Sequence, residues 1–185
     1  MKKKYNYFSI LFLLLIVIQV ITCWKCGADQ LKIKPKGIDL SKFSNKRKLA
    51  SSYTPIRIMA DYSNFRTTSG ITDSTLQHVR ALIDETCNEF KKILEVISLG
   101  QTLNVDEDDI KYSCDVDSIG SGYKNYFIFN DLVIFPMFDS TLATNVLAAA
   151  GMCMYLTGTI RPLFGILLIN PNLSFSKKNT DLYIH

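Results

Sequence analysis

The sequence predicts an α/β core, apolar strands packed against helices. Three observations carry this expectation. Leu132 to Phe135 is a short, wholly apolar run of buried-strand length. Gly165-Ile-Leu-Leu-Ile169 is a second such run, stopped by Asn170-Pro171. Between Thr72 and Gly100, the residues Leu76, Val79, Leu82, Ile83, Cys87, Phe90, Ile93 and Leu94 recur at spacings of three and four, as on a helix with one apolar face. The chain is organised around the stretch from Asp131 to Pro171. There the first apolar run is followed by Thr141 to Tyr155, rich in Ala, Leu and Met, whose composition predicts a helix. A Gly158/Pro162 break then leads into the second run.

Composition sets the frame. The 185 residues, 48% of them apolar, suit one domain behind a leader. The net charge of +4 is mild and its Lys and Arg are scattered, so nucleic acid is not an expected partner.

At the N-terminus, Lys2-Lys3-Lys4 precedes Ile10 to Ile21, apolar except for Gln19, and Thr22 and Cys23 follow. Basic, apolar and small segments in that order predict a secretory signal peptide over residues 1–23. The alternatives are an uncleaved anchor, since Tyr7 to Ile21 approaches the length of a span, and acylation of Cys23. The expected location is the secretory pathway, then the cell exterior or surface.

That compartment governs the five cysteines, Cys23, Cys26, Cys87, Cys114 and Cys153. Cys23-Trp-Lys-Cys26 has the C-x-x-C form but neither a strand–helix context nor a matching second pair, so redox or zinc chemistry is not expected there. The later cysteines are expected in structural bridges, and the odd total leaves one thiol unmatched.

Residues 24–52 are dense in Lys and Arg, contain Pro35 and Gly37, and show no sustained apolar period. They read as a pro-segment or linker, with folded structure beginning near Tyr53. Lys46-Arg47-Lys48 reads first as a solvated basic cluster, with a processing point for a secretory convertase as the alternative.

Pro55-Ile-Arg-Ile-Met59 alternates and reads as a strand entered through Pro. Asp61 to Gly70 is a polar connection to the helix capped by Thr72 or Asp73 and closed before Gly100. His78, alone on that helix, is expected to be an ordinary exposed or satisfied side chain. Val105 to Asp117 carries Asp106, Glu107, Asp108, Asp109, Asp115 and Asp117 and reads as a solvated loop. It lacks the alternating ligands, central Gly and terminal Glu of a calcium-binding EF-hand loop. Ser118-Ile-Gly-Ser-Gly122 extends the loop, and Tyr126 to Phe129 leads into the central stretch. Asn172-Leu-Ser174 is the one N-glycosylation sequon.

Several strings, taken in order, resemble the leishmanolysin family of secreted or surface-anchored zinc endopeptidases, of the metzincin group. They are Pro55-Ile-Arg-Ile58, Asp131-Leu-Val-Ile134, a helix ending in Cys153, Arg161-Pro162, Gly165 and Ile169-Asn170-Pro171. The resemblance runs from Tyr53 to His185. It implies an α+β, metzincin-like catalytic domain, a mixed sheet with packed helices, preceded by a signal peptide and pro-segment. It implies that Cys114 and Cys153 are bridged, and that Cys26, in Trp24-Lys-Cys-Gly-Ala-Asp29, is an inhibitory pro-segment thiol that caps zinc.

In that family a helix carrying H-E-x-x-H follows the strand ending near Asn170, its His residues holding Zn²⁺ and its Glu serving as general base. No H-E-x-x-H occurs in the 185 residues, and the only histidines are His78 and His185. His185 falls too early to be the first ligand by the family's spacing. No catalytic or metal residue is therefore assigned, and tight zinc binding is not expected of this chain. The reading is an N-terminal portion of a zinc metalloendopeptidase acting on proteins or peptides, with the membrane surface as a further contact. The alternative is a secreted, non-catalytic adhesion or binding module of the same partial fold.

Overall fold

The computed structural model describes residues 31, 33–39, 42, 52–66, 71–159 and 161–172. The leader, Cys23, Cys26, Lys46 to Lys48 and His185 lie outside the described residues.

The core is a five-stranded mixed sheet. Its strands are β1 (Lys36–Ile38), β3 (Ile58–Ala60), β5 (Leu132–Phe138), β6 (Ala148–Leu156) and β7 (Arg161–Ile169), in the order β1-β6-β7-β5-β3. The strands β3, β5 and β7 are mutually parallel, with Ile58 opposite Leu132 and Val133 opposite Phe164. β6 runs antiparallel to β7, and β1 parallel to β6. A separate antiparallel pair joins β2 (Tyr53–Pro55) to β4 (Glu95–Ile97). Both long apolar runs are thus central strands.

Alternation along β5 divides the core. Val133 and Phe135 pack with Phe164 and Ile166 beneath Ile110, Cys114 and Phe127, which belong to α2 (Glu107–Cys114) and α3 (Tyr126–Phe129). Leu132 and Ile134 face the other way, onto Leu76, Val79, Ile83 and Cys87 of α1 (Asp73–Ile93). Helices therefore cover both faces, which is why the central strands are apolar on both sides. Helix α1 begins as expected, where Thr72 Oγ1 accepts from the Thr75 N–H at 3.2 Å, Asp73 lies in the first turn, and Lys91 and Lys92 lie in the last; it ends earlier than expected, at Ile93, because Glu95–Ile97 form β4 before Gly100.

Three expectations are corrected. The stretch Thr141 to Tyr155 is not a helix; residues 148–156 form β6. Ala, Leu and Met favour helix only weakly, and pairing with β1 on one side and β7 on the other overrides that preference. A register shift between Met152 and Met154 makes Cys153 the extra residue of a bulge, so Cys153 and Met154 are both fully buried. "A helix ending in Cys153" is thereby corrected to a strand.

The acidic stretch is not a loop throughout, because Glu107 to Cys114 is helical. Glu107, Asp108 and Asp109 sit in the first turn, where carboxylates complement the helix dipole, and Glu107 pairs with Lys111 at 2.5 Å. Ile110 and Cys114, one turn apart, supply the buried face.

Ordered structure also begins before Tyr53. β1 adds an edge strand, and Ile38 is 4% exposed. Its passage is tight: a Cβ on Gly37 would lie 2.6 Å from Thr157 Cγ2.

The implied bridge is present. Cys114 and Cys153 are disulfide-bonded, tying α2 to β6, while Cys87 is buried and free.

Candidate functional site

In a mixed sheet of this kind the carboxyl ends of the parallel strands are the usual ligand position. An open groove of about 1010 Å³ lies there, against the face covered by α2. Leu31, Ile33, Met137, Ile166 and Leu168 give it an apolar lining. Lys34, Lys36, Asp115 and Asp139 add charges of both signs, and Tyr112 stands at its edge, 90% exposed.

One wall is the segment leading into β1. Leu31 fits over Gly151, the Ile38 carbonyl accepts from the Thr157 N–H at 2.9 Å and from its Oγ1 at 3.1 Å, and Lys36 Nζ pairs with Asp109 at 2.8 Å. Residues read from sequence as pro-segment or linker thus run as a strap along the groove. The opposite wall is the exit of β5, where Asp139 Oδ1 accepts from the Thr141 N–H at 2.8 Å and its hydroxyl at 2.7 Å.

The amino ends of the same strands carry a buried ionic cluster. Asp131, 1% exposed, accepts at Oδ2 from the Arg57 N–H (3.1 Å) and Nε (2.8 Å). At Oδ1 it accepts from Arg57 Nη2 (3.3 Å) and Arg161 Nη2 (3.1 Å). Arg57 also donates to the Ile128 carbonyl and Ser98 Oγ, and Arg161 to the Ile97 carbonyl. Burial pushes the Asp131 carboxyl up, but the Arg57 hydrogen bonds and charge, helped by Arg161, hold it below its ordinary value. One carboxylate therefore fastens the starts of β3, β5 and β7.

A second buried carboxylate closes the end of β3. Asp61 accepts from the Ser63 N–H (2.9 Å) and hydroxyl (2.5 Å), the Gly120 N–H (2.9 Å) and the Tyr126 hydroxyl (2.6 Å). Burial raises its pKa, yet these four donors bring it below the ordinary value. The Tyr126 phenol is pushed up, first by burial and then by Asp61. Beside it, Asn64 and Ser118 share three hydrogen bonds: Ser118 N–H to Oδ1 at 2.9 Å, the Ser118 hydroxyl to the same oxygen at 3.2 Å, and Nδ2 to the Ser118 carbonyl at 2.6 Å.

Of the residues singled out from sequence, Cys114 and Cys153 come together and Asn172 is exposed just beyond β7. His78 is exposed on α1, across the sheet from the groove. Cys26 and His185 lie outside the described residues. Among the described residues no three His, Cys, Asp or Glu side chains are placed to hold a metal ion. Among them, too, no helix is long and apolar enough to cross a membrane. Burial, followed by the Asp84 charge, raises the pKa of the Cys87 thiol.

Sequence reasoning did not single out the two buried carboxylate clusters as units. The signal available was a charged residue at the border of each apolar run: Asp131 before Leu132, Asp61 after Ala60, Arg161 before Pro162.

Fold and site together define a mixed α/β protein with a strapped groove at the carboxyl ends of its parallel strands. No family model and no curated protein matches the sequence.

Proposed function

We propose that this chain is the N-terminal portion of a secreted or surface-anchored zinc endopeptidase resembling leishmanolysin: leader, pro-segment and the first part of the catalytic domain. The observation that carries the reading is the meeting of Arg57, Asp131 and Arg161. Each comes from a different string on which the resemblance rests, and together they form one ion-paired unit at the starts of β3, β5 and β7.

Two further observations support it. The Cys114–Cys153 bridge that the resemblance implies is formed, and helices pack on both faces of a mixed sheet. The strap along the groove fits a pro-segment that keeps a substrate cleft covered. The described residues supply this frame and cover; no step of peptide hydrolysis is assigned to them, and zinc ligands are expected in sequence following β7.

Reading the transcript beyond the codon for His185 tests the proposal. H-E-x-x-H within the next few tens of residues, with chelator-sensitive cleavage of casein by the encoded protein, is the expected result. An in-frame stop would overturn it and leave the secreted, non-catalytic binding module.

A further inference from the structure

We propose that Asn172 is the acceptor of an N-linked glycan, a reading that rests on export of the chain. Asn172-Leu-Ser174 places a hydroxyl residue two positions after the acceptor amide with no Pro between, and no other Asn of the chain has this arrangement.

The fold presents the acceptor and does not consume it. Asn170, fully buried, spends its Nδ2 hydrogens on the carbonyls of Ala143 (3.1 Å) and Val146 (2.9 Å), and its N–H donates to the Leu147 carbonyl at 2.9 Å. Its Oδ1 then accepts from the Asn172 N–H at 3.0 Å. This turn at Asn170 pins the backbone of residue 172 where the chain leaves the sheet, and Asn172 is exposed there. Its side-chain amide has no hydrogen-bond partner among the described residues. The two asparagines divide the work: one locks the strand end to the loop before β6, and the other faces outward.

The donor is a lipid-pyrophosphate-linked oligosaccharide of the secretory pathway. The Asn172 Nδ2 attacks C1 of the first sugar, forming the N–C1 bond. The bond between C1 and the pyrophosphate oxygen breaks, the lipid pyrophosphate leaves, and the amide gives up one proton.

The test is expression of the full chain in a eukaryotic secretory host, with peptide mapping before and after peptide N-glycosidase in ¹⁸O water. The expected result is conversion of Asn172 to ¹⁸O-labelled Asp, loss of the glycan in Asn172→Gln and Ser174→Ala, and its retention in Ser174→Thr. Mapping the unaltered chain decides the matter even if a variant fails to fold. A chain secreted with unmodified Asn172 overturns the glycan alone. A chain kept in the cytosol and unmodified overturns export as well. Replacing residues 1–23 with the signal peptide of a secreted reporter separates the two failures, because an unmodified Asn172 in that secreted form rules out the acceptor itself.

Discussion

Leu31 fills the space that a side chain on Gly151 would need, since a Cβ on Gly151 would lie 2.6 Å from Leu31 Cδ1. Among the described residues, the next heavy atom near that position is Leu31 Cγ, at 3.9 Å. The glycine in β6 is thus a notch for the strap. Gly151→Val should dislodge Leu31 and β1 at a cost of about 1–3 kcal/mol, the usual range for overpacking. Hydrogen exchange should show faster exchange at Ile38 and Thr157 than in the unaltered protein. Unchanged protection would mean that the strap is held by β1 pairing alone.

Cys114 and Cys153 are 39 residues apart in sequence. Closing a loop of that size contributes about 4 kcal/mol in the chain-entropy model. Replacing both cysteines with Ala should lower stability by that order in denaturant titrations. Non-reducing peptide maps should show this pair, and a dominant Cys87–Cys114 peptide would contradict the structure.

Asp131→Asn removes the charge shared by Arg57 and Arg161. A loss of about 3 kcal/mol is expected, the lower end for a broken buried pair because the Arg57 side chain is 37% exposed. Arg57→Lys should recover less than Arg57 supplies, since an ammonium cannot reproduce the fork of donors on one carboxylate. Urea unfolding of the variants measures both.

Acid should destabilise the fold through two carboxylates. Asp61 and Asp131 both titrate below their ordinary value when folded. Their contribution is complete above the unfolded pKa of about 3.9, and is lost as pH falls through the lower folded values. The melting temperature should fall below about pH 4, and Asp131→Asn should flatten that limb. Equal acid slopes in the two proteins would remove Asp131 from the account.

The purified chain should bind less than one equivalent of zinc and leave casein uncut. Only His78 and His185 are available as imidazoles, and three held close together are needed for such a site. Stoichiometric zinc with chelator-sensitive cleavage would direct attention to His185.

What the sequence determined by itself is whatever is written locally. Helix α1 was legible because one apolar face repeats every three or four residues over six turns. β5 and β7 were legible because strands buried on both faces become unbroken apolar runs. The sequon at Asn172 is likewise three adjacent residues. The tertiary structure decided the rest. β6 carries helix-favouring Ala, Leu and Met, and only its neighbours β1 and β7 make it a strand. Helix α2 has just Ile110 and Cys114 buried in eight residues, too few to write a period among its carboxylates. β1 is three residues long and gains its place from Gly37 and the edge of β6. Arg57 lies 74 residues from Asp131, and Arg161 lies 30 beyond it. No local pattern records such a meeting, because it is burial of one carboxylate at the strand ends that demands both partners.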